Sequence, residues 1–139
     1  MKKCIFFILA FQWCLHTSFA QDKTKEIADK LIGAWIWDYT QICQRSNPPN
    51  RTPKSEGYTE KLDFKSGKMN LLRNDSVLYG SKYEIIKIDD TLNGVYYLFK
   101  SDIYHGIIAI ENDNLSISTC PNDGSHRVFY RKKNNNHQQ

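Results

Sequence analysis

The sequence lacks a stripe of basic residues that could follow a nucleic-acid backbone. Lys and Arg number 19 against 15 Asp and Glu, which gives a formal net charge of +4 at pH 7. The basic residues are scattered among acidic and polar ones, apart from Arg131, Lys132 and Lys133 near the C-terminus. Nucleic-acid binding requires such charges to be concentrated along the phosphates. We therefore expect no nucleic-acid partner.

The chain also lacks an apolar run long enough to cross a membrane as a helix. Its most apolar stretch, Ile5 to Leu15, is interrupted by Gln12 and follows the basic residues Lys2 and Lys3. A membrane-spanning helix needs about 20 apolar residues. A short apolar stretch after basic residues is instead typical of a secretion signal.

A cleavage site follows this apolar stretch. Ser18 and Ala20 are small residues that stand three and one positions before Gln21, as at a signal peptidase site. The sequence therefore predicts a signal peptide over residues 1–20 and an exported protein, periplasmic or secreted. After cleavage no transmembrane segment is expected. The alternative is an uncleaved anchor helix.

Cysteine is scarce once this segment is removed. Cys4 and Cys14 lie within the predicted signal, so Cys43 and Cys120 are the only pair left. A single even pair in an oxidising compartment favours a disulfide. Two independent core thiols and a metal site are the alternatives.

The residues that would build a metal or catalytic site do not occur in suitable patterns. Two cysteines need further ligands in register to hold a metal, and His105, His126 and His137 lack a spacing such as His-x-x-x-His. Asp102 and Asp123 stand near two of these histidines, but no constrained turn presents a nucleophile to such a pair. We therefore predict no enzyme, no metal and no cofactor.

Hydrophobic periodicity predicts one helix followed by strands. Residues 23–32 carry apolar side chains on one helical face, and from Gly33 onward the period changes to two. Eight strand-like runs follow, most of them separated by hairpin-length turns. The runs begin near residues 33, 58, 69, 82, 95, 106, 115 and 127.

Eight short consecutive strands favour an all-β, eight-stranded antiparallel up-and-down barrel with a short N-terminal helix. Closure removes the two exposed sheet edges that an open meander would leave. A two-sheet sandwich is the alternative, because its strand spacing is similar. We expect the barrel domain to occupy residues 21–133 and residues 134–139 to form a disordered tail.

Short motifs resemble those of the lipocalin-like family, in particular small exported bacterial members. Leu31-Ile32-Gly33-Ala34-Trp35 is similar to the Gly-x-Trp signature that opens the first lipocalin strand. The order of motifs over residues 50–86 and the closing strand 127–131 extend the resemblance to most of the mature chain. The resemblance implies an eight-stranded barrel in which Trp35 packs against Arg131, with Arg127 as the substitute. It also implies a cavity for a small apolar ligand.

An up-and-down barrel satisfies two pairings at once. Strands one and seven run in the same direction, so Cys43 and Cys120 at their ends lie on the same rim, within reach of a disulfide. The start of strand one also lies beside the end of strand eight, which places Trp35 near Arg131. The guanidinium could cover the indole face there.

Alternation along the early strands indicates which polar side chains face the barrel interior. The candidate ligand-binding residues are Trp37, Tyr39, Gln41, Tyr58, Glu60 and Tyr83. The alternative is that a small barrel is filled by its own side chains. An inward Glu60 would need a partner, such as a Tyr hydroxyl, Arg73 or a ligand amine; a shift of one residue in register would place it in solvent.

Two functions fit this architecture. The first is an exported binding protein that holds a small hydrophobic or amphipathic ligand in its barrel. The second is a protein-interaction module, an inhibitor or envelope-associated partner, that uses the Pro-rich loop over residues 45–57 and has a filled barrel.

Overall fold

The chain folds into strands almost throughout its described length. The computed structural model describes residues 23–44, 46, 48–90, 94–120 and 124–132. Helix α1 spans residues 23–31. The elements after it are β1 (Gly33–Ile42), α2 (Pro53–Glu56), β2 (Glu60–Lys65), β3 (Lys68–Arg73), β4 (Ser76–Asp90), β5 (Gly94–Ser101), β6 (His105–Glu111), β7 (Asn114–Ser118) and β8 (Ser125–Arg131).

The eight strands form one closed barrel in sequence order. Every neighbouring pair is antiparallel, and β8 returns to pair with β1 from Trp35↔Arg131 to Ile42↔Ser125. The predicted all-β, eight-stranded up-and-down barrel is thus confirmed, and the sandwich alternative is wrong. The predicted signal peptide over residues 1–20 and the predicted tail over residues 134–139 lie outside the described residues.

A β-bulge at Asp38 changes which residues of β1 face the interior. The pairing with β8 shifts between Trp37↔Phe129 and Tyr39↔Val128. A bulge adds one residue to a strand, and one added residue exchanges the two faces beyond it. Thr40, paired with Arg127, is therefore buried, whereas Gln41 is exposed.

We call the end of the barrel where β1 begins and β8 ends the closed end. Leu31, at the end of α1, and Trp35 are both fully buried there. The Trp35 Nε1 donates to the Leu31 carbonyl at 2.8 Å. The last carbonyls of a helix have no partner within it, so this bond helps to satisfy the end of α1.

Arg131 completes the closed end. Its Cζ lies 4.2 Å from the centroid of the Trp35 ring, so the contact predicted between these residues is present. Its Nη1 donates to the Ile32 carbonyl at 3.0 Å, and its Nη2 donates to the Lys30 carbonyl. Gly33 adopts φ +120°, and a Cβ at this position would lie 3.3 Å from Arg131 Nη1. Glycine at position 33 therefore permits the positive φ and leaves room for the Arg131 side chain.

Between its two ends the barrel is filled by large apolar side chains. The core residues with less than 2% exposure are Leu31, Trp35, Trp37, Leu62, Phe64, Met69, Phe99, Leu115 and Phe129. Aromatic rings pack edge-on within it, for example Phe64 and Phe99 with centroids 5.9 Å apart. The middle of the barrel is therefore a packed core.

We call the opposite end, where β1 and β3 end and β2 and β8 begin, the mouth. A disulfide joins Cys43 to Cys120 beside it, with Cα atoms 5.9 Å apart and a sequence separation of 77. The predicted disulfide is confirmed. Neither helix in the described part of the chain has the length and apolar character that crossing a bilayer requires.

The Pro-rich loop beside the mouth contains the short helix α2, which the sequence did not predict. Thr52 caps it, because its side chain accepts from the Ser55 N–H while the Ser55 hydroxyl accepts from the Thr52 N–H. Reciprocal bonds of this kind define a capping box. Arg51 forms a bridge to Thr40 of β1. The loop is therefore tied to the barrel at the mouth.

Candidate functional site

A buried carboxylate lies at the centre of the mouth. Glu60, the first residue of β2, is 3% exposed. Arg73 Nη2 donates to its Oε1 at 2.7 Å, and Arg127 Nη2 donates to its Oε2 at 2.6 Å. A buried carboxylate needs such partners, since an unpaired one would be strongly destabilising. Glu60 on β2 thus holds one arginine from β3 and one from β8.

Register explains why these three side chains meet. Glu60 pairs directly with Arg73 across β2 and β3, and residues paired in this way point to the same face. Arg127 pairs with Ile117 of β7, whose side chain is buried in the core. All three side chains therefore point into the barrel.

Tyr104 extends the cluster. Arg127 Nη1 donates to its hydroxyl at 2.7 Å, and the guanidinium lies 4.9 Å from its ring centroid. Burial raises the pKa of Tyr104 to about 12, although Arg127 opposes this shift. The phenol is therefore neutral at ordinary pH and accepts from Arg127.

An aromatic pair supports the arginines. The rings of Trp37 and Tyr58 stack with centroids 5.7 Å apart. Arg73 lies 4.0 Å from the Tyr58 centroid, and Arg127 lies 5.7 Å from that of Trp37. Cations are attracted to such ring faces, so each guanidinium is held by a ring as well as by Glu60.

The indole of Trp37 is fixed in turn by Thr40. Its Nε1 donates to the Thr40 Oγ1 at 3.0 Å, and both residues are buried. The bulge at Asp38 makes this possible, because it turns the Thr40 side chain inward. Thr40 is therefore a positioning residue for the aromatic pair.

The cluster borders a cavity of about 260 Å³ that opens at the mouth. Its lining residues are Trp37, Thr40, Ile42, Arg51, Tyr58, Glu60, Arg73, Ser125 and Arg127. Cavities that bind small molecules commonly measure about 300–1,000 Å³. The mouth cavity is slightly smaller than this range, so it has room for a small ligand or for part of a larger one.

A second cavity, of about 420 Å³, lies under the Pro-rich loop. It shares Ile42 and Arg51 with the mouth cavity, and Pro48 and Pro49 contribute to its wall. A molecule held at the mouth can extend toward this groove across the two shared residues.

The structure brings three of the predicted ligand-binding residues together and separates the other three. Trp37, Tyr58 and Glu60 line the mouth cavity, and the proposed Glu60–Arg73 pair is present. The predicted inward orientation of Tyr39 and Gln41 is wrong, because the bulge places both on the outer face of β1.

Tyr83 lies in the barrel but far from this cluster. Its ring packs on Phe64 and Phe99, with centroids 5.3 and 5.6 Å apart. It also lines a shallow cavity beside Ala28 of α1, and burial raises its pKa. Tyr83 is therefore not part of the mouth.

Sequence reasoning missed Arg127, Tyr104 and Thr40 as members of the site. Arg127 was detectable, since Arg127, Phe129 and Arg131 alternate along β8 and share its inner face. Tyr104 lies in the turn between β5 and β6, where no period applies. Thr40 was hidden by the bulge.

Among the described residues, no three His, Cys, Asp or Glu side chains are grouped so as to hold a metal ion. The mouth cluster consists of two arginines, one carboxylate and aromatic rings. No protein-family model, curated protein or solved structure matches this chain.

Proposed function

We propose that this chain is an exported, lipocalin-like binding protein that holds a small amphipathic ligand at the mouth of its barrel. The observation that carries the proposal is the cavity of about 260 Å³ bordered by Trp37, Tyr58 and an Arg–Glu–Arg cluster around the buried Glu60. A concave site with aromatic walls and a few fixed polar groups is the usual form of a small-molecule site. The proposal includes no catalytic step.

The filled core supports an amphipathic ligand over a purely hydrophobic one. Phe64, Phe99 and Phe129 occupy the middle of the barrel and are at most 1% exposed. An apolar molecule would need this volume, whereas the mouth offers charged donors beside aromatic rings. The ligand therefore binds at the mouth and leaves the core intact.

Export is supported by two features. The predicted signal peptide precedes the domain, and the Cys43–Cys120 disulfide is of the kind that persists in oxidising compartments. Together they favour the periplasm or the medium as the place where the ligand is met.

Native mass spectrometry of the protein purified from its own host tests this function. We expect a retained small molecule that is lost on unfolding. The variant Ile42→Trp should abolish retention, because Ile42 lines the cavity. Ile36→Trp is the matched control, since Ile36 pairs with Tyr130 on the outer face of the same strand.

A second function is favoured by one observation. Val77, Leu78 and Tyr79 of β4 are 62%, 43% and 62% exposed, just beyond Ser76, which pairs with Arg73 at the mouth. Exposed apolar patches often mark protein contacts. An empty barrel that co-purifies with one stoichiometric protein would replace ligand binding with this role.

A further inference from the structure

The charges of the mouth do not cancel. Glu60 contributes one negative charge, while Arg73, Arg127 and Arg51, which also lines the cavity, contribute three positive charges. Tyr104 adds none, because its raised pKa keeps it neutral. The lining of the mouth thus has a formal excess of two positive charges in a partly buried site, where charges are screened less than on the surface.

The two guanidiniums also retain hydrogen-bonding capacity. A guanidinium carries five N–H donors, and the bonds in the cluster are one from Arg73 and two from Arg127. Both Nε atoms are buried and have no hydrogen-bond partner among the described residues. Glu60 alone therefore leaves the arginines incompletely satisfied.

Arg73 is the arginine that a ligand can reach. Its side chain is 41% exposed, against 20% for Arg127 and 2% for Glu60. One of its terminal nitrogens donates to Glu60, and its Cζ lies 4.0 Å from the Tyr58 ring centroid. Both Arg73 and Arg127 line the cavity, so both contribute positive charge to a negatively charged partner there.

We propose that the ligand is a small organic carboxylate whose anionic group binds Arg73 at the mouth. A negative charge offsets the positive excess of the mouth, and a planar carboxylate fits the donor geometry of a guanidinium. The adjoining groove with Pro48 and Pro49 accommodates an apolar body. This inference rests on the proposed function and specifies the ligand class.

Glu60 then has a second role besides holding the arginines. By cancelling one of the positive charges of the mouth, it weakens attraction for any anion. Its removal should therefore strengthen anion binding, although it should also destabilise the fold, because Arg73 and Arg127 lose their common counter-charge. A purely structural role would not produce this gain in affinity.

Isothermal titration calorimetry of the oxidised protein tests the proposal. Three carboxylates, acetate, benzoate and octanoate, are each compared with the corresponding alcohol, and inorganic phosphate is the dianionic probe. We expect at least one carboxylate to bind about tenfold or more tighter than its alcohol and tighter than phosphate. The affinity should fall as the salt concentration rises.

Charge variants locate the binding group. Arg73→Gln should weaken carboxylate binding about tenfold or more, whereas Lys100→Gln, an exposed cation on β5, should leave it unchanged. Glu60→Gln should tighten carboxylate and phosphate binding severalfold. Glu84→Gln is the matched control, because Glu84 is 59% exposed and faces Lys100.

The outcomes separate the two proposals. Alcohols that bind as tightly as carboxylates, or carboxylates that all fail to bind, overturn the anion inference. A retained neutral molecule in the native mass spectrum would at the same time leave the proposed function standing. An empty barrel in that spectrum, together with no binding of any probe, removes both.

Discussion

The two ends of the barrel each place an arginine of β8 against a tryptophan of β1, but the arginines have different partners. At the closed end Arg131 lies 4.2 Å from Trp35 and donates to carbonyls at the end of α1. At the mouth Arg127 lies 5.7 Å from Trp37 and donates to the buried Glu60. The first arrangement completes a helix end, whereas the second concentrates ionised groups beside a cavity.

This difference supports the proposal that the mouth binds a ligand while the closed end contributes stability. Carbonyls at a helix C-terminus attract a cation with little desolvation of a counter-charge. A buried ion pair pays for its attraction with the desolvation of both groups, and apolar residues of similar size often replace it at no loss. We therefore propose that the ion cluster of the mouth serves recognition.

Removing the disulfide should produce the largest effect on stability. Changing Cys43 and Cys120 to Ser frees a loop of 77 residues, and loop entropy predicts a loss of about 4 kcal/mol. Urea unfolding of the double variant measures it, and reduced wild-type protein should show the same loss and a melting temperature lower by many degrees. Equal stability of oxidised and reduced protein would mean that the bond does not stabilise the mouth.

Removing the arginine at the closed end should come next. Arg131→Met should cost about 3 kcal/mol, from the lost carbonyl bonds and the lost contact with Trp35. Lys132→Met, at the exposed neighbouring position, is the control in urea unfolding. Carboxylate affinity should not change in Arg131→Met, and a tenfold loss would contradict the division of roles between the two ends.

Tyr104 makes the free energy of unfolding depend on pH in the alkaline range. Its pKa is raised from 10.0 to about 12 in the folded protein, so the folded state keeps a proton that the unfolded state releases. The resulting stabilisation is complete below pH 10 and is lost as the pH rises toward 12. Relative to Tyr104→Phe, the wild type should lose about 1.4 kcal/mol between pH 9 and 11. Urea unfolding at both pH values measures this; a constant difference would contradict it.

The alternation of side chains along the strands made the barrel predictable from the sequence. The irregular backbone near the mouth limited the prediction of the site. Eight alternating segments in one topology predict the strands, the contact between Trp35 and Arg131, and the disulfide between Cys43 and Cys120. Glu60 and Arg73 were also accessible, because β2 and β3 form a tight hairpin with a fixed register. Sequence patterns therefore identify contacts that depend on regular strands.

The remaining parts of the site depend on irregular backbone. A single extra residue, Asp38, exchanges the faces of β1, and no feature of an alternating sequence marks where such a bulge will fall. The turn that carries Tyr104 lacks the regular alternation of inward and outward side chains found along a strand. The capped helix α2 was obscured by the prolines around it, although Thr52 and Ser55 carry its signal.

The bulge itself can be tested by a pair of adjacent substitutions, which should give the smallest effect. Thr40→Val leaves the buried Trp37 Nε1 without its partner, and we expect a loss of about 1 kcal/mol. Gln41→Val alters an exposed position on the outer face and should change the free energy of unfolding by less than about 0.5 kcal/mol. Without the bulge, the alternation would continue along β1 and the substitution of Gln41 would destabilise the protein more. A larger loss of unfolding free energy in Gln41→Val than in Thr40→Val, measured by urea unfolding, would therefore disprove the register that places Thr40 at the mouth.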